Sequence, residues 1–394
     1  MDQANPRRRH PAASPLSPAE GAPTVQRDGP PPRRVPAPPT VPRLEIAPTF
    51  PCEADVAPGL EVLATAEVRR VLGDRASAPR VTRPGVLAFT YTGDLAPLLR
   101  LRTVLAVYLV RRFAVPRPRA LLGDEHFRAI LRLIASIRAT APDDAYRSLY
   151  LSAAGSDSSV LARLKEELGK GTGLRVAPPT AHEGDLHLRL RRPPGGGAGW
   201  ELLARLSPRP LGARAWRVRN LEGALNATVA HAMALLTTPD PRDQFLNLAC
   251  GSGTLLIERA ACGPATRLLG VDLSADALEI ARANVAAAGY ADRIELRQGD
   301  ARALNLPDAS IDALCADLPF GHLVGTHDEN LTLYPAILAE AARVARREAP
   351  FVLITHEIRL LETLLAASAD WALEDTLRVA LGGLHPRIFV LRRR

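Results

Sequence analysis

Asn247-Leu248-Ala249-Cys250-Gly251-Ser252-Gly253-Thr254 reads as a strand that ends in a glycine turn and opens directly into a helix. Glycine carries no Cβ, so it allows a tight turn and a close approach of ligand to backbone. The rest of the C-terminal half repeats that rhythm. Apolar strand-like runs fall at 244–249, 267–272, 294–299, 311–316, 350–355, 372–379 and 386–391. Helical patterns begin between them near Thr254, Ala275, Tyr334 and Ile358. Regular alternation of this kind predicts a mainly parallel sheet with helices on both faces, a Rossmann-like α/β domain over 220–394.

In such sheets ligands bind beyond the carboxyl ends of the strands. The third glycine of a dinucleotide fingerprint is absent, since position 256 is Leu256. A pyrophosphate wants that helix start uncovered, which argues against a dehydrogenase. S-adenosylmethionine has no phosphate, and the shorter G-x-G suffices for its methionyl part. Asn247, Cys250, Gly251, Gly253 and Thr254 are the expected residues of that turn. Asp272 closes the second strand about twenty residues on, where a carboxylate can bond ribose hydroxyls. Asp300, followed by Ala301, closes the third, where a carboxylate can accept from the adenine amine. A strand-end aspartate can equally cap a helix or turn. Three features at successive strand ends favour the cofactor.

The fourth strand ends in Asp317-Leu318-Pro319-Phe320, followed by Gly321. An exocyclic nucleobase amine is a weak nucleophile because its lone pair is delocalised into the ring. Acceptors for both N–H groups, here the Asp317 carboxylate and the Leu318 carbonyl, let the nitrogen pyramidalise. Pro319 fixes the backbone, and Phe320 offers a ring to stack on the base. The bland reading of the same four residues is an ordinary turn after a strand. A base in a duplex must be extruded to reach such a pocket. His322, His327 and Asp328 are read as exposed loop residues, and His356 as a weak candidate.

Upstream the chain is organised differently. Residues 1–48 hold 13 of the 35 prolines and read as a disordered Pro/Arg-rich tail. Order begins near Phe50. A helix face at Leu60, Leu63, Ala64 and Val68, strands over 86–91 and 104–113, and a short helix over 94–101 make 49–120 a small α+β unit. Over 121–219 a helical stripe at Phe127, Ile130, Leu131, Ile134 and Ile137 leads to a strand over 149–153. A second helix comes next through Val160, Leu161, Leu164 and Leu168, stopped by Gly169 and Gly171. Strands at 186–190 and 200–206 flank a Pro193-Pro194-Gly195-Gly196-Gly197 turn. A helix from Leu221 to Leu236 joins this half to the next.

The net charge is +8 with a pI near 9.8, and all but Lys165 and Lys170 among 50 basic residues are arginine. Residues 186–219 contain eight arginines against the single acid Glu201. That imbalance predicts a phosphate-facing RNA surface. Four scattered cysteines with no C-x-x-C pair predict free thiols in a cytoplasmic protein and no metal site. No apolar run reaches the ~20 residues of a membrane span. The oligomeric state is open, with a monomer expected.

From about Pro58 onward the chain resembles the THUMP-containing RNA guanosine N2-methyltransferases. The resemblance rests on Leu248 to Glu258 and the Asp317 tetrapeptide. It also rests on Gly184-Asp185-Leu186-His187-Leu188, Leu206-Ser207-Pro208-Arg209-Pro210-Leu211 with Trp216-Arg217, Leu225-Asn226-Ala227 and Gly382-Gly383-Leu384. It implies a class I methyltransferase domain preceded by a ferredoxin-like unit and a THUMP domain that grip the tRNA acceptor end. It also implies methyl transfer to N2 of an acceptor-stem guanosine. Asn247 stands where many members have aspartate. The alternatives are a ribosomal RNA guanine-N2 or adenine-N6 methyltransferase and, from another class, a non-catalytic RNA-binding protein.

Overall fold

The computed structural model describes residues 47–153, 158–178, 180–181, 183–319, 326–380 and 382–394. All but the end of the proline-rich tail, together with Phe320, Gly321 and His322, lies outside them. Chain order begins β1 (Thr49–Val56), α1 (Glu61–Leu72), β2 (Ala76–Arg83), β3 (Val86–Thr92) and β4 (Val104–Phe113). Then come α2 (Asp124–Arg138), β5 (Ser148–Ala153), α3 (Ser159–Thr172), β6 (Arg175–Val176), β7 (Leu186–Arg191) and β8 (Trp200–Arg205). These eight strands form one sheet in the order β2-β3-β1-β4-β8-β7-β5-β6. The antiparallel pairing of β4 with β8, from Tyr108↔Arg205 to Phe113↔Trp200, joins the 49–120 and 121–219 regions edge to edge. Leu186, Leu188 and Leu190 enter the core, as the alternation in β7 predicts.

The second half runs α4 (Ala227–Leu236), β9 (Gln244–Leu248), α5 (Thr254–Ala261), β10 (Arg267–Asp272), α6 (Ala275–Ala287), β11 (Ile294–Gln298) and β12 (Ala313–Asp317). It continues with α7 (His327–Val344), β13 (Pro350–Thr355), α8 (Ile358–Ala366), β14 (Trp371–Arg378) and β15 (Arg387–Arg393). The sheet order is β11-β10-β9-β12-β13-β15-β14. β9 to β13 are parallel, and β15 inserts antiparallel between β13 and β14. The order reverses at β9, whose two neighbours are β10 and β12. Alternating residues divide the core. Phe245, Leu268, Cys315 and Val352 pack with α4, α5 and α6 in a cluster continuous with the first sheet. Leu246, Leu269, Leu314 and Leu353 pack on the other face with α7 and α8.

Several expected boundaries move. The joining helix starts at Ala227, where the Asn226 side chain accepts from Thr228 N at 2.9 Å. α7 starts at His327, seven residues before Tyr334, because Thr326 and Glu329 form a capping box, and Pro335 lies inside the helix. His327 and Asp328 are therefore in a helical first turn. α3 passes through Gly169 and Gly171 and ends at Gly173, whose φ is +71°. The two inner glycines are packing positions, since a Cβ would lie 2.8 Å from Val176 at one and 3.1 Å from Leu131 at the other. The lysines Lys165 and Lys170 both sit on α3. β2 was not legible because it is an edge strand with no residue buried. Among the described residues, no helix is long and apolar enough to cross a membrane.

The arginine count over 186–219 misleads for a related reason. Arg189 pairs with Asp55 at 2.9 Å, and Arg191 with Glu53 at 2.6 Å and Glu201 at 3.0 Å. Arg205 pairs with Glu183, and Arg214 with Glu258 at 2.9 Å. Arg192 lies over the Trp200 ring at 4.3 Å. Acids brought in from β1 and α5 offset a charge that looks uncompensated along the chain.

One buried cluster ties the two sheets together. Glu258 on α5 is fully buried and accepts from Arg102 Nε at 2.9 Å and Nη2 at 3.1 Å, and from Arg214 Nε at 2.9 Å. His231 Nδ1 of α4 lies 3.1 Å from it. Burial raises the Glu258 carboxyl, but His231, Arg214 and Arg102 outweigh that and hold it at about 2. Glu67 of α1 accepts from the Arg102 and Thr103 amides at 2.9 and 2.8 Å and faces His231 at 3.7 Å. Glu258→Ala leaves the buried Arg214 and the partly buried Arg102 without their acid, so it is expected to cost roughly 3–5 kcal/mol of stability. Urea unfolding followed by tryptophan fluorescence measures this. A loss under about 1 kcal/mol would make the cluster no stronger than a surface pair.

Candidate functional site

The strand order reverses at β9, and in open α/β sheets the ligand crevice forms at such a reversal, here beyond the ends of β10, β9 and β12. Ala249 leaves β9 with φ +48°, Gly251 has φ +50° and Gly253 has φ +78°. Three left-handed residues in five curl the chain so that α5 starts at Thr254. Register places Asp272 and Asp317 each one residue beyond the last pair with β9, Val271↔Leu248 and Ala316↔Leu248. The two carboxylates thus flank Ala249 from opposite sides.

Asp272 already has structural work. Its Oδ2 accepts from Gly251 N at 2.8 Å and its Oδ1 from Ser274 N at 2.9 Å. Each oxygen keeps a second lone pair for a ligand hydroxyl. The capping alternative is answered separately, because Ser274 itself caps α6 through Ala277 N at 3.2 Å. Leu273, beside Asp272, is 66% exposed. An apolar side chain left in water at a strand end suits the flat face of a purine, and the sequence reading missed it.

Asp300 stands next to that position after β11. Arg302 grips it with Nε at 3.0 Å and Nη2 at 2.7 Å and holds its carboxyl below the usual range. An incoming amine must share this carboxylate with the guanidinium. Ala301 packs against the core below.

The remaining residues of the turn divide into backbone and core roles. Cys250 is buried, its N donates to Val271 O at 3.0 Å, and its Sγ would meet a Cβ at Gly270 at 3.0 Å. Burial pushes its thiol up, so its side chain is core and its contribution to the site is backbone. Asn247 is fully buried, and its Nδ2 donates to Leu248 O at 3.1 Å and Cys315 O at 3.2 Å. It stitches β9 to β12 below the crevice instead of lining it. A carboxylate there would face two carbonyl oxygens, which selects an amide. Thr254 Oγ1 accepts from Arg217 Nη2 at 3.1 Å and shares a hydrogen bond with Ser252 Oγ at 3.0 Å. Asn284 of α6 donates to Ser252 O at 3.2 Å and to Arg219 O at 3.0 Å, fixing the turn to the segment before α4. The bonds of Arg217 to Thr254 and of Asn284 to Ser252 and Arg219 carried no sequence signal, because each spans 30 or more residues of chain.

Asp317 is half-buried, and its carboxylate accepts no hydrogen bond among the described residues. Burial pushes its carboxyl up to about 7. Leu318 is buried and its N donates to Ile354 O at 3.1 Å. Pro319 O accepts from Tyr334 Oη at 2.7 Å and Asn330 Nδ2 at 3.2 Å. A cavity bordered by Tyr150, Ser152, Lys165, Glu166 and Val176 lies at β5 and α3 of the other sheet and holds none of these residues.

With β9 to β13 parallel, a reversed order at β9 and an antiparallel β15 between the last two strands, the topology decides the fold. It is a class I methyltransferase fold. Residues 214–387 match the family described as "RMKL-like, methyltransferase domain". The chain is similar over 184 residues, at 29% identity, to a Bos taurus protein named "tRNA (guanine(6)-N(2))-methyltransferase THUMP3", covering 43% of this chain and 36% of that one. Over 97 residues it is 40% identical to the Bos taurus "U6 snRNA (guanine-N(2))-methyltransferase THUMPD2", covering 25% of this chain and 19% of that one. This chain therefore spans about a third or less of these relatives' lengths. The crystal structure of TrmN from Thermus thermophilus superposes with a TM-score of 0.67 at 25% identity, covering 88% of this chain and 100% of TrmN. The methyltransferase domain thus carries Asp272, Asp300 and Asp317 at successive strand ends of this fold.

A carboxyl that holds its proton more tightly folded than unfolded lowers stability once pH passes its unfolded value, and the loss is complete above its folded value. Asp317→Asn is therefore expected to unfold near the wild-type temperature at about pH 4 but roughly 2 °C or more higher at about pH 8. Differential scanning calorimetry checks this. Matching midpoints at both pH values would mean that Asp317 is not desolvated.

Proposed function

We propose that the protein is an S-adenosylmethionine-dependent RNA methyltransferase whose acceptor is the exocyclic N2 amine of a guanosine in tRNA, in the acceptor stem. The observation that carries this reading is Asp317, a half-buried carboxylate with unused acceptor capacity across β9 from the Gly251–Gly253 turn. The match to a methyltransferase domain and the similarity to tRNA guanine-N2 enzymes support it. We assign the first sheet to a ferredoxin-like unit and a THUMP domain that hold the RNA.

The residues present fit the cofactor. Asp272 keeps acceptor capacity for ribose hydroxyls, Asp300 for the adenine amine, and Leu273 gives the base an apolar face. When bound, S-adenosylmethionine supplies an electrophilic methyl group on a sulfonium. Asp317 and the Leu318 carbonyl accept the two N–H groups of the base amine and so free its lone pair. Phe320, which lies outside the described residues, is assigned to stack on the base. The nitrogen must lose a proton as it gains the methyl, and Asp317, with its carboxyl near 7, can hold it. Orientation and electrostatics supply the rest.

The 40% identity to a U6 snRNA enzyme supports a second reading, with that RNA as substrate. Incubating the protein with labelled methyl donor and either unmodified tRNA or U6 snRNA, followed by nucleoside mass spectrometry, separates the two. N2-methylguanosine in tRNA is expected. Asp317→Ala is expected to lower kcat by about a hundredfold or more. Asp272→Ala is expected to weaken cofactor binding about tenfold or more by calorimetry, through the lost turn and ribose contacts. No cofactor binding by the wild type, or full activity of Asp317→Ala, would overturn the assignment.

A further inference from the structure

The carbonyl of Pro319 is held by two side chains that have no access to solvent. Tyr334 and Asn330 are both fully buried in α7, and both donate to this one oxygen, at 2.7 and 3.2 Å. Tyr334 Oη also lies 2.6 Å from Thr355 Oγ1 at the end of β13. Thr355 Oγ1 accepts in turn from Glu357 N at 2.9 Å. Only one assignment of protons satisfies all three contacts. Glu357 N–H donates to Thr355, the Thr355 hydroxyl donates to Tyr334, and the Tyr334 hydroxyl donates to Pro319. Donors aligned in one direction polarise and strengthen one another. Burial pushes the Tyr334 phenol up, so it remains a donor at any physiological pH. Glu357 is itself anchored to the start of α7 by His327 at 3.0 Å.

Core packing needs none of this. Tyr334 sits among Leu338, Leu353 and other residues of the second core cluster, where phenylalanine would fill nearly the same volume. Its hydroxyl reaches out of that core to the residue that follows Asp317-Leu318. A proline ring fixes φ but leaves ψ free. A hydrogen bond that fixes the carbonyl fixes ψ. Pro319 and Tyr334 together therefore lock both backbone torsions of residue 319 and anchor the end of the Asp317-Leu318-Pro319 segment against α7.

We propose that Tyr334, with Asn330 and Thr355 in support, is a positioning residue that presets the Asp317-Leu318-Pro319 backbone for the acceptor amine. It rests on the reading of that tetrapeptide as the site of the acceptor base. Tyr334 touches neither cofactor nor acceptor in this assignment and acts only through the Pro319 carbonyl. It is not part of the cofactor cradle, so cofactor binding does not depend on it.

Tyr334→Phe tests this in the full-length protein. Expected is a fall in kcat for RNA methylation between about tenfold and a hundredfold, the range for a small misplacement of reacting groups. KM for RNA and the calorimetric Kd for S-adenosylmethionine should stay within about twofold of wild type. Asn330→Leu should act in the same direction, and the double variant should fall well short of the product of the two, since both act on one oxygen. A purely structural role would lower the unfolding temperature, cofactor affinity and kcat together, and that result overturns the proposal. So does a Tyr334→Phe kcat equal to that of an active wild type. A wild type that binds cofactor but transfers no methyl to any RNA overturns the reading of the tetrapeptide, and this inference with it.

Discussion

A carboxylate cut off from water stays ionised only where enough cations and donors replace its hydration. Glu258 meets that condition with groups drawn from three places: Arg102 before β4, Arg214 after β8, and His231 on α4. None of these could satisfy it alone, so the first sheet, the segment after it and the α5 helix are bound to one geometry. α5 is also the helix that opens at the Gly251–Gly253 turn. The electrostatic requirement of one buried acid thus sets where the turn stands relative to the sheet assigned to hold RNA.

The three strand-end acids differ in what the fold has done with them. Backbone amides occupy Asp272, which makes it part of the turn it helps to form. Arg302 neutralises Asp300. Asp317 receives neither kind of help, and burial holds its carboxyl up at the expense of local stability. The cost is contained because the neighbouring backbone is tied down: Leu318 N to β13, and the Pro319 carbonyl to α7.

Much of this was legible in the sequence. All seven strands of the second sheet fall within two residues of their expected starts, and the buried ones, β9, β10, β12, β13 and β15, are compact apolar runs. The glycine turn and the three acids follow the strand ends as their positions predict. What failed did so where the deciding partner was remote. Asn247 looked like a ligand residue from its place in the motif, yet its amide serves Cys315 on the next strand. The arginines of β7 and β8 looked unpaired because Asp55, Glu53 and Glu183 are separated from them in the chain. Tyr334 read only as the start of a helix, and nothing local shows that its hydroxyl meets Pro319. β2 escaped notice because an edge strand buries too little to impose alternation.

The near absence of lysine has a practical side. Guanidinium groups carry almost all the cationic work in this molecule, and they do not react with the usual amine reagents at neutral pH. Lys165 and Lys170 both lie on α3, with the Lys170 side chain 61% exposed. Side-chain amine chemistry is thereby confined to a single helix of the first sheet, far along the chain from Asp272 and Asp317. A fluorophore or crosslinker attached there would report on that sheet's contacts with a bound macromolecule and leave the crevice chemically untouched.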